Sequence, residues 1–152
     1  MIEKIQEEAK KVLAHDVSGH GVTHVMNVYR LAMLLQEEEK QGDKEVVAAA
    51  ALLHDVDDYK MVGEEAADGL HNAKAILDKV NADGEFKKKV LDIIANMGYS
   101  KRMKGIHPQS IEGKIVSDAD MLESCGTQGI VRTLAFSVTS GSRNIFNPEV
   151  FP

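Results

Sequence analysis

The sequence has little of several residue types that would point to other classes of protein. It contains one cysteine, Cys125, among 152 residues, so it cannot form an internal disulfide, which is typical of proteins from a reducing compartment. Its longest apolar run, residues 46–53, is far shorter than the ~18 residues needed to cross a bilayer. Lys and Arg number 18 against 24 Asp and Glu, and the net charge of −6 disfavours binding to nucleic acid or to anionic membranes. These absences predict a cytoplasmic protein without nucleic-acid or membrane partners.

The apolar residues of the sequence recur mostly with helical periodicity, and the alternation of apolar and polar residues that is typical of strands is nearly absent. The chain length fits one domain of ~150 residues, and an apolar content of 43% is enough for a core. The stretch 44–55 is apolar all round and is predicted to be a buried central helix with Asp43 as its N-cap. We therefore predict an all-α, compact single-domain helical bundle over residues 1–152. The predicted helices cover about residues 2–13, 23–40, 44–55, 64–80, 86–97, 111–122 and 130–138.

Four polar residues interrupt helix faces on which core residues would be expected. His24 begins an apolar stripe, and His54 and Asp55 close the most apolar helix of the chain. Asp118 lies between an isoleucine three residues before it and a leucine four residues after it, so it is predicted to share their inward face. Asp120 lies about 200° further round the same helix and is predicted to face elsewhere. The sequence thus directs two imidazoles and two carboxylates toward the interior.

Each of these residues has a structural explanation when it is taken alone. An inward histidine is more often a hydrogen-bonded core residue than a ligand, and an aspartate at a helix end is usually a cap or an ion-pair partner. Two buried carboxylates together, however, would cost several kcal/mol, and a divalent cation removes that cost for both. Imidazole nitrogen and carboxylate oxygen are ligands of first-row divalent metals, and four protein ligands leave positions open for water and substrate. The combined pattern favours a metal site.

The order of these residues resembles that of the HD-domain superfamily, with one histidine, a later His-Asp dipeptide and a distant aspartate. The resemblance runs over about residues 16–148, and the stretches that carry it are GHGVTHVMNVYRLA, AALLHDVDDYK and GKIVSDADMLESCGTQGIVRT. It implies an all-helical, metal-dependent phosphohydrolase in which His24, His54, Asp55 and Asp118 hold the metal. The sequence is similar to the bacterial and archaeal subgroup that hydrolyses small phosphorylated metabolites, nucleotides among them. Mn²⁺ is the favoured cation, ahead of Fe²⁺, Co²⁺, Ni²⁺, Mg²⁺ and Zn²⁺.

The sequence also departs from that subgroup. Met121 stands where the subgroup often has an arginine after Asp-Ala-Asp, and Ser124 and Cys125 stand where it has small residues. Relatives commonly continue with further helices beyond the point where this sequence stops, at Pro152. Substrate choice or assembly is therefore expected to differ here. The sequence is either truncated or a minimal version of such a protein, and in both cases part of a substrate-binding wall is expected to be missing.

Several further residues are candidates for contact with the substrate. His20 lies four residues before His24, and it is either a hydrogen-bond donor to phosphate in the same cleft or an exposed loop residue. The sequence DDYK resembles the stretch that follows the His-Asp dipeptide in the subgroup. On that basis we assign Asp58 as the catalytic proton acceptor and Lys60 as a substrate-binding residue. Asp57, in contrast, is predicted to be an ordinary surface charge.

A local positive cluster lies in the predicted loop 98–109 of this acidic protein. Lys101, Arg102 and Lys104 are either a solvated surface or a phosphate-binding flap, and Lys101 is the substrate-binding candidate among them. Arg132 lies inside an apolar helix and therefore requires a carboxylate partner.

The leading interpretation is hydrolysis of a phosphate ester or anhydride of a small metabolite, with a nucleotide as the favoured substrate, by metal-activated water. A metal-bearing nucleotide-binding or sensor domain without useful turnover is the alternative. A di-iron oxygenase ranks last, because only His20 and His71 could supply additional ligands. The sequence has no P-loop motif, and no histidine at motif spacing accompanies Cys125. A homo-oligomer is left open.

Overall fold

The computed structural model of the chain describes residues 1–14, 16 and 21–139, apart from the side chains of Lys60, Glu64 and Thr139. This described part is built from helices and contains no strand, which confirms the predicted all-α fold. In chain order the helices are α1 (Ile2–Leu13), α2 (Val22–Glu39), α3 (Lys44–Leu53), α4 (Tyr59–Val62), α5 (Glu64–Gly69), α6 (His71–Lys79), α7 (Gly84–Asn96), α8 (Tyr99–Arg102), α9 (Ile111–Ser124) and α10 (Thr127–Thr139).

Helix α3 is the centre of the core, as its sequence predicts. Every residue from Val46 to Leu53 is buried, and α1, α2, α7 and α9 all pack against this helix. Its run of four alanines lets the neighbouring helices approach closely, because alanine adds little to the helix radius. Asp43 caps the helix, and its side chain accepts hydrogen bonds from the backbone N–H of Glu45 (2.9 Å) and Val46 (3.3 Å). The position of α3 fixes where the His-Asp dipeptide emerges from the core.

The predicted helix over 64–80 is interrupted in the structure. It divides into α5 and α6 at Leu70, which has a left-handed backbone conformation (φ 49°, ψ 48°). A new helix begins there because Asp57, from the loop after α3, accepts hydrogen bonds from the backbone N–H of Asn72 and Ala73, both at 2.8 Å. A contact between segments distant in sequence therefore overrides a continuous local helical pattern.

The predicted loop over 98–109 contains one helical turn, α8. Gly98, at φ +110°, turns the chain from the end of α7 into this short helix, and an L-residue rarely adopts that backbone conformation. Lys101 and Arg102 lie in this helical turn. Among residues 1–14, 16 and 21–139, none of the helices has the length and apolar character needed to cross a lipid bilayer.

Candidate metal centre

Side chains from three elements of the core converge on one point. His24 lies in the first turn of α2, His54 and Asp55 directly follow α3, and Asp120 lies on α9. Nε2 of His24 is 3.2 Å from Nε2 of His54, 3.2 Å from Oδ2 of Asp55 and 3.4 Å from Oδ1 of Asp120. Nε2 of His54 lies 3.4 Å and 3.9 Å from the same two carboxylate oxygens. The structure thus brings together three of the four predicted ligands, His24, His54 and Asp55.

The inward orientation predicted for Asp118 is wrong, because the structure places Asp120 beside the histidines and leaves Asp118 exposed. The buried line of α9 runs through Val116, Ala119 and Glu123, and Asp120 lies next to it. The apolar pattern of the sequence instead favours the line through Leu122, whose side chain is 51% exposed. Single exposed leucines are common on protein surfaces, so that residue was a poor guide to the inward face.

Hydrogen bonds hold both imidazoles with Nε2 toward the cluster. Nδ1 of His54 donates to the carbonyl oxygen of Ala51 at 2.8 Å, so the neutral ring carries its lone pair on Nε2. Nδ1 of His24 lies 3.0 Å from Oε2 of Glu123, and donation to that carboxylate likewise leaves the lone pair on Nε2. Two lone pairs and two carboxylates then face one another. A divalent cation fits this donor set, since it attracts all four groups at once.

Glu123 and Arg132 belong to this centre, although the sequence pattern does not predict a role for Glu123. Glu123 is buried, and its Oε2 accepts a hydrogen bond from Nη1 of Arg132, which confirms that Arg132 has a carboxylate partner. The same Nη1 lies 2.7 Å from Nδ1 of His24. The sequence signal for this role of Glu123 is its spacing. Glu123 follows Asp120 by three residues, so the two side chains lie on neighbouring positions of one face of α9.

The two carboxylates also act on the pKa of His54. Burial alone would lower the pKa of His54, but the negative charges of Asp55 and Asp120 outweigh it, so the pKa of this imidazole is raised above its ordinary value. The centre therefore attracts positive charge, whether a proton or a metal ion.

A cleft of about 700 Å³ opens beside the cluster, a volume typical of small-molecule sites. His54, Asp55 and Asp120 lie in its wall, and Asp58, Lys101 and Arg102 line it as well. Nζ of Lys101 donates to the carbonyl oxygen of Ala95 at 2.5 Å, and Nη1 of Arg102 lies 2.9 Å from the sulfur of Met121. Lys104 is exposed and is not part of the cleft wall, so the positive cluster of the sequence is divided.

Three further predictions from the sequence concern Asp57, His20 and Lys60. Asp57 is buried and accepts two backbone hydrogen bonds, so its interpretation as a surface charge is wrong. Its carboxylate is directed at the N-terminus of α6, where the backbone N–H groups and the helix dipole stabilise its negative charge. His20 lies outside the described residues, and Lys60 lies in α4 with its side chain outside them.

The helices and the converging side chains define an all-α protein with a candidate metal centre. A family model described as HD domain matches residues 21–125. The chain belongs to the HD domain family.

Named relatives agree with this assignment. The Bacillus subtilis protein YpgQ is 36% identical over 143 residues, which cover 91% of this chain and 67% of YpgQ. The protein L803 of Acanthamoeba polyphaga mimivirus is 32% identical over 132 residues, which cover 78% of this chain and 53% of L803. The chain thus spans between one half and two thirds of the length of these relatives.

Solved structures have the same fold. A Lactobacillus plantarum crystal structure matches with a TM-score of 0.85 and 35% identity, over 99% of this chain and 68% of that one. An HD-superfamily hydrolase from Bacillus thuringiensis matches with a TM-score of 0.72 and 36% identity, over 99% and 71%. YpgQ in complex with ADP matches with a TM-score of 0.69 and 27% identity, over 93% and 69%. The family match and the Bacillus thuringiensis neighbour, an HD-superfamily hydrolase, indicate a hydrolase.

Proposed function

We propose that this chain hydrolyses a phosphate ester or anhydride of a nucleotide and depends on a divalent cation, Mn²⁺ in the first place. His24, His54, Asp55 and Asp120 would hold the cation. The observation that carries the proposal is the convergence of two Nε2 atoms, 3.2 Å apart, and two carboxylates, each of which lies 3.2–3.9 Å from both Nε2 atoms. This cluster borders a cleft whose wall also contains Lys101 and Arg102. The ADP bound by YpgQ, a relative with the same fold, supports a nucleotide as the substrate class.

The chemistry that the cation supplies when bound is Lewis acidity, which polarises a phosphoryl oxygen and makes water a better nucleophile near neutral pH. Glu123 and Ala51 orient the two imidazoles through their Nδ1 atoms, so that both rings keep their lone pairs toward the ligand cluster. Asp57 fixes the loop after the His-Asp dipeptide by its hydrogen bonds to α6.

The remaining residues of the cleft act on the substrate. Asp58 would accept the proton that the attacking water loses as its oxygen forms the new bond to phosphorus. Lys101 and Arg102 would neutralise phosphate oxygens, for which Lys101 has to exchange the carbonyl oxygen of Ala95 for the substrate. The group that leaves with the broken P–O bond takes up a proton from solvent at the open side of the cleft.

A phosphate-release assay tests the proposal directly. The purified protein is stripped with a chelator, reloaded with Mn²⁺, and incubated with nucleoside mono-, di- and triphosphates, and product phosphate and pyrophosphate are measured. We expect release with Mn²⁺ and none after chelation. Nucleotide binding with intact metal but no release over the whole panel would instead favour the binding or sensor domain.

A further inference from the structure

Two exposed tyrosines line the same cleft as the metal ligands. The side chains of Tyr59 and Tyr99 are 57% and 72% exposed, and both are part of the cleft wall. The chain has three tyrosines, four phenylalanines and no tryptophan, so two of its seven aromatic rings are placed at this one cavity. Large aromatic side chains are usually buried, because the burial of their rings contributes much to core stability. Because both rings are exposed in the cleft wall, a ligand in the cleft can contact them.

The two rings are positioned by short helical turns on different segments of the chain. Tyr59 begins α4, four residues after Asp55, and Tyr99 begins α8, which also carries Lys101 and Arg102. Each tyrosine is therefore tied to a segment that supplies other groups of the site. One is close in sequence to the metal ligands, and the other is close to the cations that face the cleft.

The rest of the cleft wall includes apolar side chains that the phosphate chemistry does not use. Ala67, Leu70, Ile94 and Met97 line the cavity together with the two tyrosines. Phosphate alone would require only cations and hydrogen-bond donors, and it gains nothing from apolar contact. The cleft composition therefore fits a ligand with both an anionic part and a flat, apolar part.

We propose that Tyr59 and Tyr99 form the base-binding surface of the cleft, on which the base of a nucleotide stacks. This inference rests on the proposed function and specifies how the substrate is selected. Every base has a π-face, so stacking on tyrosine tolerates different bases and discriminates chiefly against phosphorylated compounds without one. The metal centre with Lys101 and Arg102 holds the phosphates, and the tyrosines provide selectivity for nucleotides over base-free phosphates.

A matched pair of non-hydrolysable ligands separates the contribution of the base to binding from that of the phosphates. α,β-Methylene-ADP carries a base, whereas methylenediphosphonate carries the same two phosphorus centres without one. Affinities of the Mn²⁺-loaded protein for both are measured by titration calorimetry. We expect Tyr59→Ala and Tyr99→Ala each to weaken binding of the nucleotide analogue by about 5- to 100-fold and to leave the diphosphonate affinity unchanged.

Two controls make the readout specific. Tyr99→Phe keeps the ring and should retain most of the affinity, which separates stacking from the hydroxyl group. Met103→Ala removes another exposed apolar side chain (70% exposed) just after α8 that is not part of the cleft wall, and it should change neither affinity.

The possible failures are distinguishable. Equal wild-type affinity for the two ligands, or an equal loss for both in the tyrosine-to-alanine variants, would overturn base stacking while phosphate binding stands. Loss of nucleotide affinity in Tyr99→Phe as large as in Tyr99→Ala would also overturn it, because the ring is still present. A wild-type protein that binds neither ligand would contradict the proposed function itself.

Discussion

Nε2 of His24 and Nε2 of His54 lie 3.2 Å apart, although 30 residues separate these histidines and they are carried by α2 and by the end of α3. Nδ1 of His54 donates to the carbonyl oxygen of Ala51, and Nδ1 of His24 lies near both Oε2 of Glu123 and Nη1 of Arg132. In the tautomer in which His24 donates to Glu123, neither neutral ring has a proton on Nε2. Such an arrangement brings two lone pairs into contact and requires positive charge between them. The hydrogen bonds that hold the rings in place therefore also prepare the centre for a cation.

Removal of the metal is expected to destabilise the protein. Mn²⁺ at 100 times its dissociation constant should add about 2.7 kcal/mol to the free energy of unfolding. For a domain of this size that corresponds to a rise of roughly 5–11 °C in Tm relative to the chelated protein. Thermal melts followed by circular dichroism, with chelator and after addition of Mn²⁺, measure the shift. A Tm that is unaffected by both treatments would argue against a metal at this centre.

The two aspartates of the Asp-Ala-Asp sequence should differ in metal binding. Asp120→Ala removes a carboxylate 3.4 Å from Nε2 of His24, and we expect loss of metal and of phosphate release. Asp118→Ala, on the exposed face of the same helix, should leave both close to wild type. Metal content by elemental analysis and phosphate release are the measurements. Metal loss in Asp118→Ala with retention in Asp120→Ala would restore the interpretation drawn from the sequence.

Glu123 is expected to control metal affinity through His24. Glu123→Gln keeps the shape of the side chain but replaces the carboxylate that lies 3.0 Å from Nδ1, and the loss of such a partner typically weakens metal binding about 10- to 100-fold. Asp118→Asn is the matched control, because it neutralises an exposed carboxylate on the same helix. Mn²⁺ titrations of both variants give the comparison, and equal affinities would show that Glu123 serves only as the partner of Arg132.

The cations of α8 should act on substrate capture, and Lys104 should not. The double change Lys101→Gln and Arg102→Gln removes two charges from the cleft wall, so KM for the best substrate should rise at low salt with a smaller change in kcat. The difference should shrink as salt rises, since about 0.15 M salt screens charges beyond ~8 Å. Lys104→Gln, an exposed position outside the cleft wall, is the control. An equal KM effect of Lys104→Gln would indicate long-range attraction by the surface as a whole.

Asp57 should contribute more to stability than an exposed helix cap does. Asp57→Ala leaves two N–H groups at the start of α6 without their acceptor, at a cost of about 1–3 kcal/mol for each such group when it is buried. Asp83→Ala removes an exposed cap that also accepts two backbone hydrogen bonds, at the start of α7, and caps of this kind contribute about 0.5–2 kcal/mol. Urea unfolding of both variants measures the difference, and equal losses would contradict the structural role assigned to Asp57.

Local sequence patterns determined the helical nature of this protein and its most buried element. The apolar run of α3 and its Asp43 cap are properties of neighbouring residues, and both appear in the structure as predicted. The inward direction of His24 also follows from its sequence, because the apolar stripe that it begins continues at Val28, which is buried. The His-Asp dipeptide lies beside the core because it directly follows the buried run of α3.

Only the tertiary structure decided which aspartate of α9 enters the centre and where the helix after the dipeptide is interrupted. The choice between Asp118 and Asp120 depends on how α9 is rotated against α2 and α3. Apolar residues lie on both lines of that helix, Val116 and Ala119 on one and Ile115 and Leu122 on the other, so the sequence pattern alone could not fix the rotation. The interruption at Leu70 arises because the carboxylate of Asp57 satisfies the backbone of α6 from a distant loop. Periodicity within a single segment carries no information about such a partner, whereas the packed structure shows it directly.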